Sequence, residues 1–326
     1  MRQTRRDFGK LAIGAAAAGG ALSAKPNSVF GGVQIGVITY SFRALPSSAE
    51  EVLKYCLECG VSGIELMNNV AESYAGAPLP AMRSFPPPGA GGGRPQMTPE
   101  IRAAMEKSAA ELKSWRLSAS MDKFAAFRKM YEDAGIKIYA FKLPPTMAMS
   151  DAEYEYIWKV GKTLGANHLT MELPNDDALL ERVAKFAAGQ RLRIAFHTHG
   201  QGGESGFEKA LGASPYTALN LDVGHFWAVN GKSPVPVIEK YHERIASLHL
   251  KDRKGPSSAP EGKASQGGPN MPWGQGETPL KEVLQLMKKN KYKFPASVEY
   301  EYNTPADSDV LTEVKKCVQY CKDALA

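Results

Sequence analysis

Titratable side chains recur at the carboxyl ends of six consecutive predicted strands. They are Lys142, Glu172, His197 with His199, Asp222 with His225, His249 with Asp252, and Glu299 with Glu301. Burying a charge is costly unless the charge is paired or bound to a metal, so six such strands in succession are expected to serve chemistry. The mixture of carboxylate and imidazole donors suits a divalent ion such as Mn, Mg, Co or Zn.

These residues need a scaffold that brings strand ends together. From residue 33 onwards, short β-rich runs alternate with helical patterns, as in βα units that build a parallel sheet. The predicted strands span 33–39, 63–67, 137–141, 168–172, 193–197, 218–222, 246–250 and 296–300. The predicted helices span 49–59, 121–134, 151–164, 177–188, 206–211, 235–242, 280–289 and 310–325. Eight repeats in about 300 residues favour a single α/β domain, a (β/α)8 barrel, over an open doubly wound sheet. No G-x-G-x-x-G follows the first strand.

Two long loops interrupt this alternation, after the second and the seventh strand. Residues 68–116 contain a Pro/Gly-rich stretch, with Pro86–Pro88 and Gly91–Gly93, and then a helix over 99–115. Residues 253–277 are polar and rich in Gly and Pro. Long loops on the carboxyl face of a barrel usually shape or cover the active site.

Three segments carry a resemblance to a known family. They are LNLDVGHF at 219–226, SLHLKD at 247–252 and SVEYEY at 297–302. Together they resemble successive motifs of the xylose isomerase-like TIM barrels, a superfamily that includes sugar phosphate isomerases/epimerases and endonuclease IV-type enzymes. The resemblance covers nearly the whole chain after residue 33.

The resemblance implies one divalent metal held by Glu, Asp, His and Glu from late strands. Asp222, His249 and Glu299 match the last three ligands. For the first we expect Glu172, with His197 as the alternative, because the fifth strand ends in Phe196-His197-Thr198-His199. Glu301 would replace Glu299 only if the strand register shifted.

The chemistry implied by the family is proton transfer next to a carbonyl, which a metal assists by stabilising an enediolate. In the epimerases two metal-bound Glu residues form the acid/base pair, and Glu172 and Glu299 would take that role here. His197 or His199 is a substitute base if one Glu is displaced. Lys142 would stabilise the enolate oxygen, or else pair with Glu172 as an interior ion pair.

Further residues are assigned to the substrate. His225 is expected to contact it or to orient the groups around the metal, and Asp252 is expected to contact it. Trp227, Trp273 and Phe226 would offer apolar faces to sugar rings, or serve packing alone. The enolate can be reprotonated by an isomerase/epimerase, or it can expel a leaving group in a lyase or dehydratase acting on a 3-keto sugar or glycoside. A non-catalytic sugar-binding barrel is a third hypothesis.

The first 30 residues are interpreted as an export signal and a short linker, and residues 31–326 as the barrel. Thr4–Lys10 reads TRRDFGK and precedes an Ala/Gly-rich apolar stretch, which resembles a twin-arginine signal. The expected location is therefore periplasmic or secreted, with the twin-arginine export machinery as a partner. Because phosphorylated sugars are largely intracellular, an unphosphorylated carbohydrate is the expected substrate.

Charge supports the same interpretation. The chain carries +6, but residues 1–24 contain four basic side chains and one acidic one, so half of this excess lies in the signal. No Lys/Arg run suits nucleic acid, and an endonuclease would need more His ligands. No apolar run after the N-terminus is long enough for stable membrane insertion, and an oligomer is compatible with the sequence.

Four cysteines lie in two pairs at helical spacing, Cys56 with Cys59 and Cys317 with Cys321. They are interpreted either as small core residues or as a disulfide between the first and last helices, because export would place them in an oxidising compartment. A zinc site is less favoured because the cysteines lie on helices rather than on turns.

Overall fold

The computed structural model describes residues 25–78, 98–199, 203–260 and 266–326. The predicted export signal at 1–24, the Pro/Gly-rich stretch within 79–97 and residues 261–265 of the second long loop lie outside these ranges. No helix of the described ranges combines the length and the apolar composition that crossing a bilayer requires.

Eight parallel strands close into a barrel, because the first of them pairs with the last as well as with the second. A two-residue strand, β1 (Val29–Phe30), pairs antiparallel with β2 at the outer edge. The barrel strands are β2 Val33–Ile38, β3 Gly63–Met67, β4 Lys137–Lys142, β5 His168–Glu172, β6 Arg193–His197, β7 Thr217–Asp222, β8 Ile245–Leu250 and β9 Ala296–Val298. This confirms the predicted (β/α)8 fold, although β9 ends two residues earlier than expected.

Helices follow the strands and cover the barrel. They are α1 Ala49–Glu58, α2 Asn68–Ala75, α3 Pro99–Ser118, α4 Asp122–Asp133, α5 Asp151–Thr163, α6 Asp177–Gln190, α7 Glu204–Gly212, α8 Val223–Asn230, α9 Val235–Tyr241, α10 Leu280–Asn290 and α11 Val310–Leu325. The sequence prediction did not include α2 and α8. Both helices begin at the first residue after a strand, so no loop separates the two elements.

The chain joins the barrel before residue 31, where the predicted linker ends. Ser28 is buried, and its hydroxyl donates a hydrogen bond to the carbonyl oxygen of Ile35 in β2 at 2.5 Å. Its amide donates to Ser62 Oγ at 3.0 Å. These contacts fix the chain before β1 against β2 and against the residue that precedes β3.

The barrel interior is polar along its axis. Tyr139 crosses it and makes a 2.7 Å hydroxyl hydrogen bond with Ser297. Gly36 leaves the space for this ring, because a Cβ there would lie 2.4 Å from the Tyr139 hydroxyl. On several strands, inward-facing polar residues repeat at intervals of two, as β geometry requires. Apolar side chains form the core between strands and helices.

Candidate active site

Four buried side chains converge at the carboxyl ends of neighbouring strands. His197 ends β6, Asp222 ends β7, His249 lies near the end of β8, and Glu299 follows β9. Their potential ligand atoms all lie within 4.8 Å of one another. This cluster is called the metal group below. It contains His197, the alternative first ligand, rather than Glu172.

His197 presents an unprotonated nitrogen to the metal group. Its Nδ1 lies 2.9 Å from Oδ1 of Asn220. Because an amide oxygen only accepts, Nδ1 carries the proton and Nε2 keeps its lone pair. Nε2 faces Asp222 Oδ2 at 3.8 Å. Burial lowers the pKa of His197 to about 3, and the neighbouring His249 adds to this effect, so the imidazole is neutral.

The two carboxylate oxygens of Asp222 have different roles, one in capping a helix and one in the metal group. Oδ1 accepts the amide hydrogen of His225 at 2.7 Å and thereby caps the start of α8. Oδ2 is buried and accepts no hydrogen bond, although Lys251 Nζ lies 3.0 Å away. Burial raises the pKa of Asp222. A buried acceptor without a hydrogen-bond donor is a position at which a cation is favourable.

His249 lies between two carboxylates. Its Nδ1 is 2.8 Å from Glu299 Oε2, and its Nε2 is 2.7 Å from Glu65 Oε2. Burial alone would lower the pKa of His249, but Glu65 and Glu299 raise it to about 10. Metal-bound histidines commonly donate their other N–H to a carboxylate that fixes the ring orientation. Glu65 is placed for that role.

The sequence prediction did not identify Glu65, which lies in the middle of β3 and is fully buried. Burial would raise the pKa of this carboxyl, but His249, Lys142 and Thr170 lower it to about 2. A signal was present, since a lone carboxylate interrupts the otherwise apolar segment Gly63–Met67. The reasoning applied to the later strand ends would have identified it.

Lys251 brings an ammonium group to the same carboxylates. Its Nζ lies 2.8 Å from Glu299 Oε2 and 2.6 Å from Glu301 Oε2, and the residue is only 2% exposed. Burial raises the pKa of Glu299, but Lys251 and His249 outweigh burial and hold it well below its usual range. Lys251 was not among the site residues predicted from the sequence.

Glu172 forms a separate cluster with two other predicted catalytic residues. Its Oε1 lies 2.8 Å from Lys142 Nζ, and its Oε2 lies 3.0 Å from His199 Nδ1. The Glu172 side chain is 42% exposed, unlike the buried metal group. Burial opposes ionisation of Glu172, but His199, His197 and Lys142 together lower its pKa, while the neighbouring Glu172 in turn raises the pKa of His199. The interior ion pair expected of Lys142 is present.

His225 belongs to a second imidazole group with His197 and His199. Arg253 donates a hydrogen bond to His225 Nδ1. Because a guanidinium only donates, the proton of His225 lies on Nε2. Burial, together with Lys251 and Arg253, lowers the pKa of His225 well below its usual value, so the ring is neutral. In this arrangement His225 offers an N–H donor rather than a metal-ligating lone pair.

The structure gives Asp252 a different role from the expected substrate contact. Its Oδ2 accepts from the amides of Gly274 at 2.8 Å and Gly276 at 2.9 Å. Its Oδ1 accepts from the amide of Thr278 at 3.2 Å, and the residue is 4% exposed. A carboxylate used in this way fixes the returning half of the second long loop.

Of the two tryptophans assigned to the substrate, Trp273 has a packing contact in the fold. Trp273 packs edge-to-face against Tyr320 of α11, with ring centroids 5.6 Å apart. Trp227 lies within α8 and is partly buried. Both indole Nε1 atoms are buried without a hydrogen-bond partner. Phe226, the third apolar candidate, packs against Phe207 in the core.

The donors of the metal group fit a divalent cation. His197 offers a lone pair, Asp222 a buried oxygen that accepts no hydrogen bond, and Glu299 an ionised carboxylate. His249 would have to release the proton that it shares with Glu299. Mixed imidazole and carboxylate ligands suit Zn, Mn or Co.

About half of the chain is similar in sequence to known proteins. Residues 178–320 match the model of the xylose isomerase-like TIM barrel family. An inosose dehydratase from Clostridium botulinum is 27% identical over 157 residues, which cover 44% of this chain and 52% of that protein. The match therefore spans about half the length of the curated relative.

Solved structures share the barrel over most of its length. A probable 3-DHS dehydratase from Bacillus anthracis has a TM-score of 0.57 at 15% identity, covering 88% of this chain and 98% of its own. A D-psicose 3-epimerase, solved in the presence of D-fructose, has a TM-score of 0.53 at 12% identity, covering 90% of this chain and 99% of its own. Residues 178–320 are therefore similar in sequence to the xylose isomerase-like TIM barrel family, and the chain as a whole shares the fold of these solved structures.

Proposed function

We propose that this chain is a divalent-metal-dependent enzyme that moves a proton at the carbon next to a carbonyl group of an unphosphorylated sugar, as an isomerase or epimerase. The observation that supports the proposal most directly is the metal group of His197, Asp222, His249 and Glu299. It lies at the carboxyl ends of the strands, where barrel enzymes place their active sites.

When bound, a divalent cation would polarise the substrate carbonyl and favour loss of the adjacent proton. Glu172 is the proposed base, because it is ionised and half-exposed beside the buried group. His199, whose Nδ1 lies 3.0 Å from Glu172 Oε2, would be the partner acid that donates a proton to the enolate. Lys142 would hold a substrate oxygen and keep Glu172 ionised.

The substrate class rests on two arguments. The predicted twin-arginine signal would take the protein to a compartment where phosphorylated sugars are scarce. The D-psicose 3-epimerase that shares this fold was also solved in the presence of D-fructose, a small unphosphorylated sugar. A neutral sugar or a 3-keto sugar is therefore the proposed substrate.

Elimination is the second candidate reaction. The metal group contains a single Glu, Glu299, so it lacks the pair of metal-bound Glu residues that the resemblance implied. The curated relative is an inosose dehydratase. A lyase or dehydratase would use the same proton abstraction by Glu172 and then protonate the departing group from His199.

The test is NMR of the product formed in deuterated water by the metal-loaded protein from unphosphorylated keto and aldo sugars and 3-keto glycosides. Deuterium at the carbon next to the carbonyl, with an intact carbon skeleton, is expected. An unsaturated sugar or a released aglycone would establish elimination instead.

Controls separate chemistry from binding. Glu172→Gln is expected to abolish exchange, whereas the exposed-surface variant Lys315→Met should retain it. Sugar binding without turnover or metal would contradict the proposal and favour a non-catalytic barrel.

A further inference from the structure

Lys251 occupies the position at which a cation is most favourable in the metal group. Its Nζ approaches Asp222 Oδ2 at 3.0 Å and Glu299 Oε2 at 2.8 Å. These are the same oxygens that face the two imidazoles, because His197 Nε2 lies 3.8 Å from Asp222 Oδ2 and His249 Nδ1 lies 2.8 Å from Glu299 Oε2. The ammonium and a metal ion therefore require the same acceptor atoms.

The fold provides a specific path for this side chain. Gly224, at the start of α8, packs directly on Lys251, and a Cβ at this position would lie 2.4 Å from Lys251 Cγ and 2.4 Å from its carbonyl oxygen. The side chain is thus directed into the cluster between α8 and the strand ends. Burying an unpaired ammonium would be costly, so its three carboxylate partners are what permit this position.

Glu301 differs from the other two carboxylates. It lies 2.6 Å from Lys251 Nζ but is not a member of the metal group. Its side chain is 21% exposed, whereas those of Asp222 and Glu299 are buried. Glu301 is therefore a more exposed partner for Lys251, and a metal ion bound to the metal group would not use the Glu301 carboxylate.

We propose that Lys251 is an internal counter-cation that competes with the divalent metal for Asp222 and Glu299, and that Glu301 retains the ammonium when the metal binds. Two cations cannot share the same pair of oxygens without strong repulsion in a buried site. The inference rests on the proposed function only in taking the group as a metal site. It predicts that Lys251 weakens metal binding.

The test is titration of the chelator-treated protein with Mn²⁺ in a calorimeter. Lys251→Met is expected to bind Mn²⁺ at least about tenfold more tightly than the unsubstituted protein, which corresponds to about 1.4 kcal/mol. Lys315→Met, which removes an exposed lysine paired with Glu58, should leave the affinity unchanged. Unchanged or weaker binding by Lys251→Met would overturn the proposal.

A double-mutant cycle tests the role of Glu301. Glu301→Gln should weaken Mn²⁺ binding when Lys251 is present, because the displaced ammonium loses its remaining partner. In the Lys251→Met background the same change should have a smaller effect. Equal effects in both backgrounds would contradict transfer of the ammonium to Glu301.

Thermal melting gives an independent measure that does not require activity. Metal-free Lys251→Met should melt at a lower temperature, because its carboxylates lose their internal cation, and Mn²⁺ should raise its Tm more than that of the unsubstituted protein. Metal binding by Lys251→Met alone would support the competition but would contradict the proposed metal dependence of the unsubstituted protein. Absence of metal binding by both proteins would contradict the competition and the metal dependence alike.

Discussion

Glu65 joins three strands across the barrel interior. Besides His249, it accepts hydrogen bonds from Thr170 Oγ1 at 2.7 Å and from Asn220 Nδ2 at 3.1 Å. Asn220 in turn fixes the tautomer of His197. One carboxylate therefore orients one imidazole of the metal group directly and the other through Asn220.

Glu65→Gln should destabilise the metal-free protein by about 3 kcal/mol, because the imidazolium of His249 loses one of its two buried carboxylate partners. It should also weaken metal binding about 10–100-fold, as substitutions behind a ligating histidine do. Denaturant unfolding and calorimetric titration measure the two effects.

Thr170→Val, which removes one neutral donor, should cost only about 1 kcal/mol and leave metal affinity nearly unchanged. Equal losses in the two variants would show that Glu65 acts only as a hydrogen-bond acceptor.

The choice between His197 and Glu172 as the first ligand can be tested directly. His197→Ala should weaken Mn²⁺ binding by at least about tenfold, because it removes a neutral donor from the compact group. Glu172→Gln should change affinity much less, because its carboxylate is engaged by Lys142 and His199. Both variants are titrated with Mn²⁺ after chelator treatment. A larger loss of affinity in Glu172→Gln than in His197→Ala would identify Glu172 as the first ligand.

Strand-end chemistry could be predicted from the sequence because charged residues stand out against apolar strands. His197, Asp222, His249 and Glu299 were all identified in this way, although His197 was only the alternative ligand. The contact between Glu65 and His249 could not be predicted, because it joins β3 to β8 across the barrel. Which inward residues meet there depends on closure and on the stagger of the strands, which local patterns do not encode.

Among the elements, α2 and α8 show where local patterns were insufficient. Asp222 is both a member of the metal group and the N-cap of α8, so the helix begins inside the motif that carries the chemistry. α2 begins without a side-chain cap at Met67 and ends at Gly76, which adopts a positive φ of 96°. With no loop before either helix, no intervening turn marks the change from strand to helix.

α3 is attached to the barrel through one buried ion pair. Arg116 donates to both carboxylate oxygens of Glu72 in α2, at 2.7 and 2.9 Å. Tyr156 of α5 donates to the same carboxylate at 2.9 Å. Most other positions of α3 are exposed, and two contacts with α5 support this anchor: Trp115 contacts the Tyr156 ring, and Lys113 Nζ lies 3.4 Å from Glu153 Oε2.

Arg116→Met should therefore destabilise the protein by about 3–5 kcal/mol, because Glu72 is left buried without its cation. Hydrogen exchange should accelerate over Pro99–Ser118 more than elsewhere. Arg128→Met is a matched control, since it removes an exposed arginine paired with Glu132 on α4 and should cost less than about 1 kcal/mol. Similar effects of the two substitutions would contradict the anchoring role of Arg116.

At the scale of the whole molecule, the cell compartment to which the protein is sent bears on the substrate that it can meet. We propose that the twin-arginine signal exports the protein already folded, which suits a metal group buried inside a closed barrel. Replacing Arg5 and Arg6 with Lys should leave the protein in the cytoplasm, as cell fractionation would show. Unchanged export would remove the argument for an unphosphorylated substrate.

The four cysteines link the first and last helices to the same closed core. All four thiols are free and buried, and neither group of described residues that could hold a metal includes a cysteine, so the described part of the chain shows neither the disulfide nor the zinc site considered from the sequence. Burial raises the pKa of Cys59 to about 12 and also raises those of Cys56, Cys317 and Cys321. The reactive thiolate form is therefore scarce near neutral pH in the folded protein, whereas an ordinary thiol ionises near pH 8.5.

Native protein treated with iodoacetamide should thus remain unlabelled between pH 7 and about pH 9, with no increase in rate as the pH passes 8.5. In denaturant all four thiols should react together, because α1 and α11 pack on strands joined by barrel closure and lose protection only when the barrel opens. Mass spectrometry counts the modified cysteines at each denaturant concentration. Labelling of one helix's pair before the other would contradict a single cooperative barrel, and a mass lower by two hydrogens before treatment would indicate a disulfide.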